Sequence, residues 1–167
     1  TCQDIVQHAS MDGLLSAGWE VVFSHPFSHT TKLEDLMNLK KLAQDAAKRS
    51  VDGPSAVNRT RICVAARKPN SDSLILAAFG DMNDILIESS SKSEARKVGN
   101  FYTYMVNSTS FGIAPDSTIS LGSADTVDGD MRMSWHLSGS GGYRIGEIRS
   151  LNDSAEYEKL ILMCDPS

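Results

Sequence analysis

The chain predicts an α+β fold: a mainly antiparallel β-sheet with one amphipathic helix near residues 33–49, within a single domain spanning 1–167. Three observations carry this expectation. Short runs rich in β-branched and aromatic residues recur between turn-forming Pro, Asn, Asp and Gly clusters. One longer segment repeats its apolar residues at helical spacing. With 41% hydrophobic and 22% charged residues in 167, there is enough apolar material for one core without a metal.

Residues 1–16 are mixed in pattern, with Asp12-Gly13 a turn, and Gly18-Trp19-Glu20-Val21-Val22-Phe23 reads as a first strand with Trp19 in the core. Thr31-Lys32-Leu33-Glu34 fits a capping box, Asp35 adds negative charge to the first turn, and Asp52-Gly53-Pro54 stops the helix. Within it Leu36, Leu39, Leu42, Ala43, Ala46 and Ala47 share a face, and Lys40, Lys41, Asp45 and Lys48 fall elsewhere. Strands follow at 60–67, 74–79, 85–88 and 101–106, neighbours pairing antiparallel through the turns at 67–73 and 79–84. Residues 89–99 are polar and read as a loop; the Ser, Thr, Gly and Asp texture from Ser110 onward suits long loops over a sheet. Met131, Met133, Trp135 and Leu137 alternate with Arg132, Ser134 and His136, as in a strand with one buried and one wet face. A final apolar strand at 157–164 reads as central.

The formal net charge of −5 and the scatter of Lys and Arg exclude a phosphate-backbone partner, and the longest apolar runs are too short to insert in a membrane. Three cysteines allow at most one intrachain bridge. Cys2–Cys164 is favoured because chain ends lie close in compact domains; Cys63–Cys164 is the competing pairing, and three reduced cysteines the third option. The spare thiol could link subunits. Thr1 in place of an initiator Met fits a processed chain, and the sequons at Asn58, Asn107 and Asn152 mark glycosylation sites of a secreted, extracellular glycoprotein.

Asp125, Asp128 and Asp130 surround Gly129, and hard oxygen ligands on a glycine turn are what Ca²⁺ requires; an Asx-rich hairpin turn reads the same residues without metal. His25 and His29 are four apart, but Pro26 lies between them and no further ligand is near, which favours loop residues over a metal pair. Further on, His136, Gly141, Gly142, Tyr143, Arg144 and Asn152 combine donors, an aromatic face and a backbone open to close approach, a mix that suits a sugar ring. Trp135 shares the face of Met131 and Met133 and is expected in the core. No nucleophile elbow, zinc-protease helix, P-loop or dinucleotide fingerprint is present, so the chain reads as no enzyme.

The sequence Gly141-Gly142-Tyr143-Arg144-Ile145-Gly146, followed by Ser150-Leu151-Asn152, resembles the closing segment of secreted lectin-like domains of marine invertebrates. With Gly18-Trp19 it is also similar, more loosely, to fibrinogen-related lectin domains, whose late acidic loop holds calcium beside an acetyl-sugar pocket. The resemblance covers about the last quarter of the chain plus Gly18-Trp19. It implies a lectin that recognises cell-surface or soluble glycans, N-acetylated sugars among them, as a homo-oligomer whose weak single sites gain avidity. An extracellular structural or matrix assembly protein, with no small ligand, is the alternative.

Overall fold

The computed structural model describes residues 10–48, 60–88, 95–99, 101–107, 109–117, 131–137, 139 and 141–164. In chain order the described elements are α1 (Met11–Ser16), β1 (Glu20–Pro26), α2 (Leu33–Lys48), β2 (Arg61–Arg67), β3 (Leu76–Asp81), α3 (Met82–Ile85), β4 (Arg96–Val98), β5 (Phe101–Met105), β6 (Ser110–Ala114), β7 (Met133–His136), β8 (Gly142–Ile145) and β9 (Glu158–Cys164). They form two antiparallel sheets, ordered β1-β9-β2-β3 and β4-β5-β6-β7-β8.

Strand alternation builds the core between the sheets. Phe23, Ile161, Val64 and Ala78 make one row across the first sheet. Met105, Phe111, Trp135 and Gly142 make the facing row of the second. The rows meet where Phe23 stacks on Trp135, ring centroids 5.7 Å apart and planes within 13°. Each large side chain sealed here contributes about 1.5–3 kcal/mol. The expected central position of the last strand is observed, with β9 between β1 and β2.

The outer face of the first sheet is closed by Met11, Leu14 and Trp19 packed on Cys63, Ala65, Leu160 and Leu162. Helix α1 begins with Ser10 Oγ accepting from the Gly13 N–H at 3.0 Å. It ends as a Schellman turn: Trp19 N donates to Leu14 O at 3.0 Å, Gly18 N donates to Leu15 O at 3.2 Å, and Gly18 sits at φ +94°. Gly18-Trp19 is therefore a helix stop rather than the opening of β1, which starts at Glu20.

Helix α2 packs Leu36, with half-buried Leu33, Met37, Leu39 and Ala43, onto the main core. Leu42 is 64% exposed, so it lies off the packed stripe that periodicity alone assigned to it. The cap also differs: Asp35 accepts from the Lys32 N–H at 2.9 Å, while the buried Thr31 hydroxyl finds no partner among the described residues. Lys40 lays its stem on the core and donates to Leu86 O at 3.2 Å.

Several sequence expectations are corrected. The strand expected at 85–88 is replaced by α3, which turns back so that Met82 and Ile85 enter the core. The polar stretch at 89–99 includes strand β4, and the loop texture from Ser110 contains β6 and β8. Strand β7 has no fully wet face, because Ser134 is buried as well as Met133 and Trp135 and His136 is half-buried; just before the strand Arg132 is buried, while Met131, expected on the buried face, is exposed. On that second face Tyr104, Gly112, Ser134 and Arg144 share a row, and the Tyr104 ring occupies the space a Gly112 side chain would need. Arg132 donates to both oxygens of Asp116 at 2.9 Å.

Gly142 lies under the Phe27 ring so closely that a Cβ there would overlap it. Gly142→Ala is expected to cost about 1–3 kcal/mol by overpacking, read as a lowered urea midpoint; an unchanged midpoint would contradict this packing.

Candidate functional site

The late hairpin is the first place to look for a ligand, and the fold uses most of it internally. Gly141 donates no space to solvent: its backbone oxygen accepts from His136 N at 3.0 Å, and a Cβ would strike the carbonyls of Phe27 and Asn152. Gly142 faces Phe27, and Arg144 is 1% exposed in the row beside Ser134. These three residues, expected to cradle a ligand with their backbone, are buried and packed against other parts of the chain. Half-buried His136 and Tyr143 meet edge to face at 6.1 Å, and Asn152 is half-buried with Oδ1 enclosed and unpartnered among the described residues. The structure brings His136 and Tyr143 together, while Gly141 and Gly142 are packed against other parts of the chain.

A second cluster was not anticipated. His25, Lys159, Ala66 and Leu76 form a core-facing row, so strand alternation carries a lysine between the sheets. Lys159 is fully buried, its Nζ donating to His29 O at 2.6 Å and lying 5.6 Å from the Trp135 ring centre and 6.0 Å from that of Phe27. The His25 and His29 rings stack on each other, their centroids 3.8 Å apart. Burial lowers Lys159 to about pKa 7 against the opposing pull of Asp35. Burial likewise holds His25 below the ordinary histidine value, helped by Lys159; for His29 the His25 charge and Lys159 add to burial. The signal for this site was legible as one cation directly before the apolar run Leu160-Ile161-Leu162, two positions before Ile161 on the same face. Its amine is enclosed, so it cannot reach a solute, and its chemistry is that of a buried titrating post.

The open cavity lies elsewhere. A cleft of about 520 Å³ runs along β3, with every residue of that strand on its wall, and crosses to β4 and β5. Among the described residues β3 pairs only with β2, and β4 only with β5, so both are edge strands here. Val98, Phe101 and Ile113 supply apolar surface, and Arg61, Asp81 and Asp84 a polar end. Arg61 Nη1 pairs with Asp81 at 3.3 Å, and Arg96 donates to the Asp84 carbonyl. Gly80 lets Ile85 and Val98 close beneath the strand. Sequence reading missed this site because its walls come from five separated segments.

The proposed calcium residues Asp125, Asp128 and Asp130, and the sequon at Asn58, lie outside the described residues, as does Cys2. Among the described residues no group of three or more His, Cys, Asp and Glu side chains is placed to hold a metal, and no helix is long and apolar enough to cross a membrane. Cys63 is outside any disulfide and buried within the first sheet, which removes both the Cys63–Cys164 pairing and Cys63 as a link between subunits. Cys164 is disulfide-bonded.

The lowered Lys159 value fixes the sign of a pH effect. Between about pH 7 and 10 the unfolded chain binds a proton that the folded chain has shed, so stability rises with pH. Below the ordinary histidine range, His25 and His29 act in the same direction, and stability falls further as the unfolded imidazoles charge first. The melting temperature is expected to climb on the order of 5 °C from about pH 7 to 9, and Lys159→Met to flatten that rise; a melting temperature falling over this interval would contradict the assignment. Comparison of the chain with protein-family models, curated proteins and solved structures finds no significant match.

Proposed function

We propose that the protein is a secreted, non-catalytic saccharide-binding protein whose site is the cleft along β3 rather than the glycine hairpin. The observation that carries this reading is the cleft's pairing of an apolar wall with a polar end. Phe101 and Ile113 offer surface to the C–H face of a sugar ring, and Arg61, Asp81 and Asp84 line the same hollow with groups that can bond hydroxyls. The exposed outer edge of β3 adds backbone donors and acceptors, which hydroxyl groups satisfy from either direction. At about 520 Å³ the cleft lies within the range of small-ligand sites. Single-site affinity is expected to be weak, with homo-oligomers supplying avidity toward glycans.

The matrix-assembly reading has one observation of its own. Strand β1 is an edge that exposes Val21 and Val22, at 38% and 36%, and β3 is the opposite edge of the same sheet. Strand addition at either edge would assemble copies without any sugar.

A glycan array followed by titration separates the two. Saccharide binding is expected to weaken at least tenfold in Phe101→Ala and in Asp81→Ala, and to survive in Tyr143→Ala. An array with no bound glycan, together with large species on size-exclusion chromatography that sugars leave unchanged, would instead favour assembly.

A further inference from the structure

The sequon Asn107-Ser108-Thr109 stands beside a groove that the binding site does not use. Asn107 is exposed on the turn joining β5 to β6, where Thr109 N donates to Val106 O at 3.0 Å. It also lines a groove of about 650 Å³, whose apolar wall is Leu33 and Met37 from α2 with Leu137 from the end of β7. Lys32 and Glu34 edge the same groove, and Gly139, at φ +73° with open space around its Cα, leaves one side free.

We propose that Asn107 carries an N-linked glycan whose first N-acetylglucosamine packs into this groove. The inference rests on the extracellular reading above and goes beyond it, since it concerns a sugar bound covalently and away from the cleft. The occupant is identified by position: Asn107 is itself one of the residues lining the groove, so the first ring of a glycan attached there is brought to Leu33, Met37 and Leu137. The ring's apolar face and acetyl methyl meet these side chains, and its hydroxyls reach Lys32 and Glu34. Asn152 offers the contrast, being half-buried with an enclosed carbonyl oxygen. Attachment is a transfer from a lipid diphosphate-linked oligosaccharide supplied by the secretory machinery. The Asn107 side-chain nitrogen bonds to the anomeric carbon and loses a proton to base, and the diphosphate leaves with the electrons of the broken C–O bond.

The test is expression of the whole chain behind a secretion signal in a eukaryotic cell, with glycopeptide mass spectrometry. Asn107 is expected to be occupied. Material trimmed to one sugar per site is expected to melt about 2–4 °C above an Asn107→Gln chain treated alike, with the gap reduced in a Met37→Ala background. A secreted chain with Asn107 bare, or an occupied Asn107 whose trimmed form melts with the Gln variant, overturns the proposal. Binding in the cleft is measured separately on the Asn107→Gln chain, so either reading can fail without the other.

Discussion

The stack of Phe23 on Trp135 joins the two sheets, and the rest of the molecule is arranged to protect it. Phe111 tilts against the other side of Trp135 at 5.3 Å, and Lys159 lies over the indole from the first sheet. For the indole to sit centrally, the next strand must present no bulk, and Gly142, opposite Trp135 in the register, meets that need while admitting Phe27. The glycines of the late hairpin are thus consequences of aromatic packing. A sequence in which two glycines precede a tyrosine reads equally well as a backbone held open for a ligand, and only the partner, far away in the chain, decides between the readings.

Lys159 extends the same argument. A charged group between sheets costs free energy unless it is partnered, and the His29 carbonyl with two aromatic faces offsets part of that cost. The residue that supplies the carbonyl also stacks its ring on His25, so the turn after β1 is tied to β9 through the lysine's hydrogen bond and back to β1 through the ring pair. Acidification charges the histidines beside a lysine already charged, which loads repulsion onto the segment that also positions Phe27.

What was legible in the sequence follows from how local each signal is. Helix α2 and strands β2, β3 and β9 carry their own apolar pattern, and they were found with ends displaced by a residue or two. Strands β6 and β8 were hidden because one face is built from Ser110, Gly112 and Arg144, which resemble loop residues until Tyr104 is laid across them. Edge strand β4 begins with Arg96 and Lys97, charges that serve an edge but disguise a strand. Gly18-Trp19 invited a strand reading because the Schellman turn that uses it depends on α1, whose six residues are too few to announce themselves. The cleft along β3 could not be read at all, since it is made by two strand edges brought together from different sheets.

On the proposed reading a saccharide binds in the strand-edge cleft and not at the glycine hairpin. Nuclear magnetic resonance titration of the isotope-labelled protein with an N-acetylated oligosaccharide tests it most directly. The account predicts backbone amide shifts concentrated at Ala77, Gly80, Val98 and Phe101, with the Gly142 and Arg144 amides unmoved. Shifts centred on His136, Tyr143 and Asn152 instead, with the β3 edge silent, would contradict it.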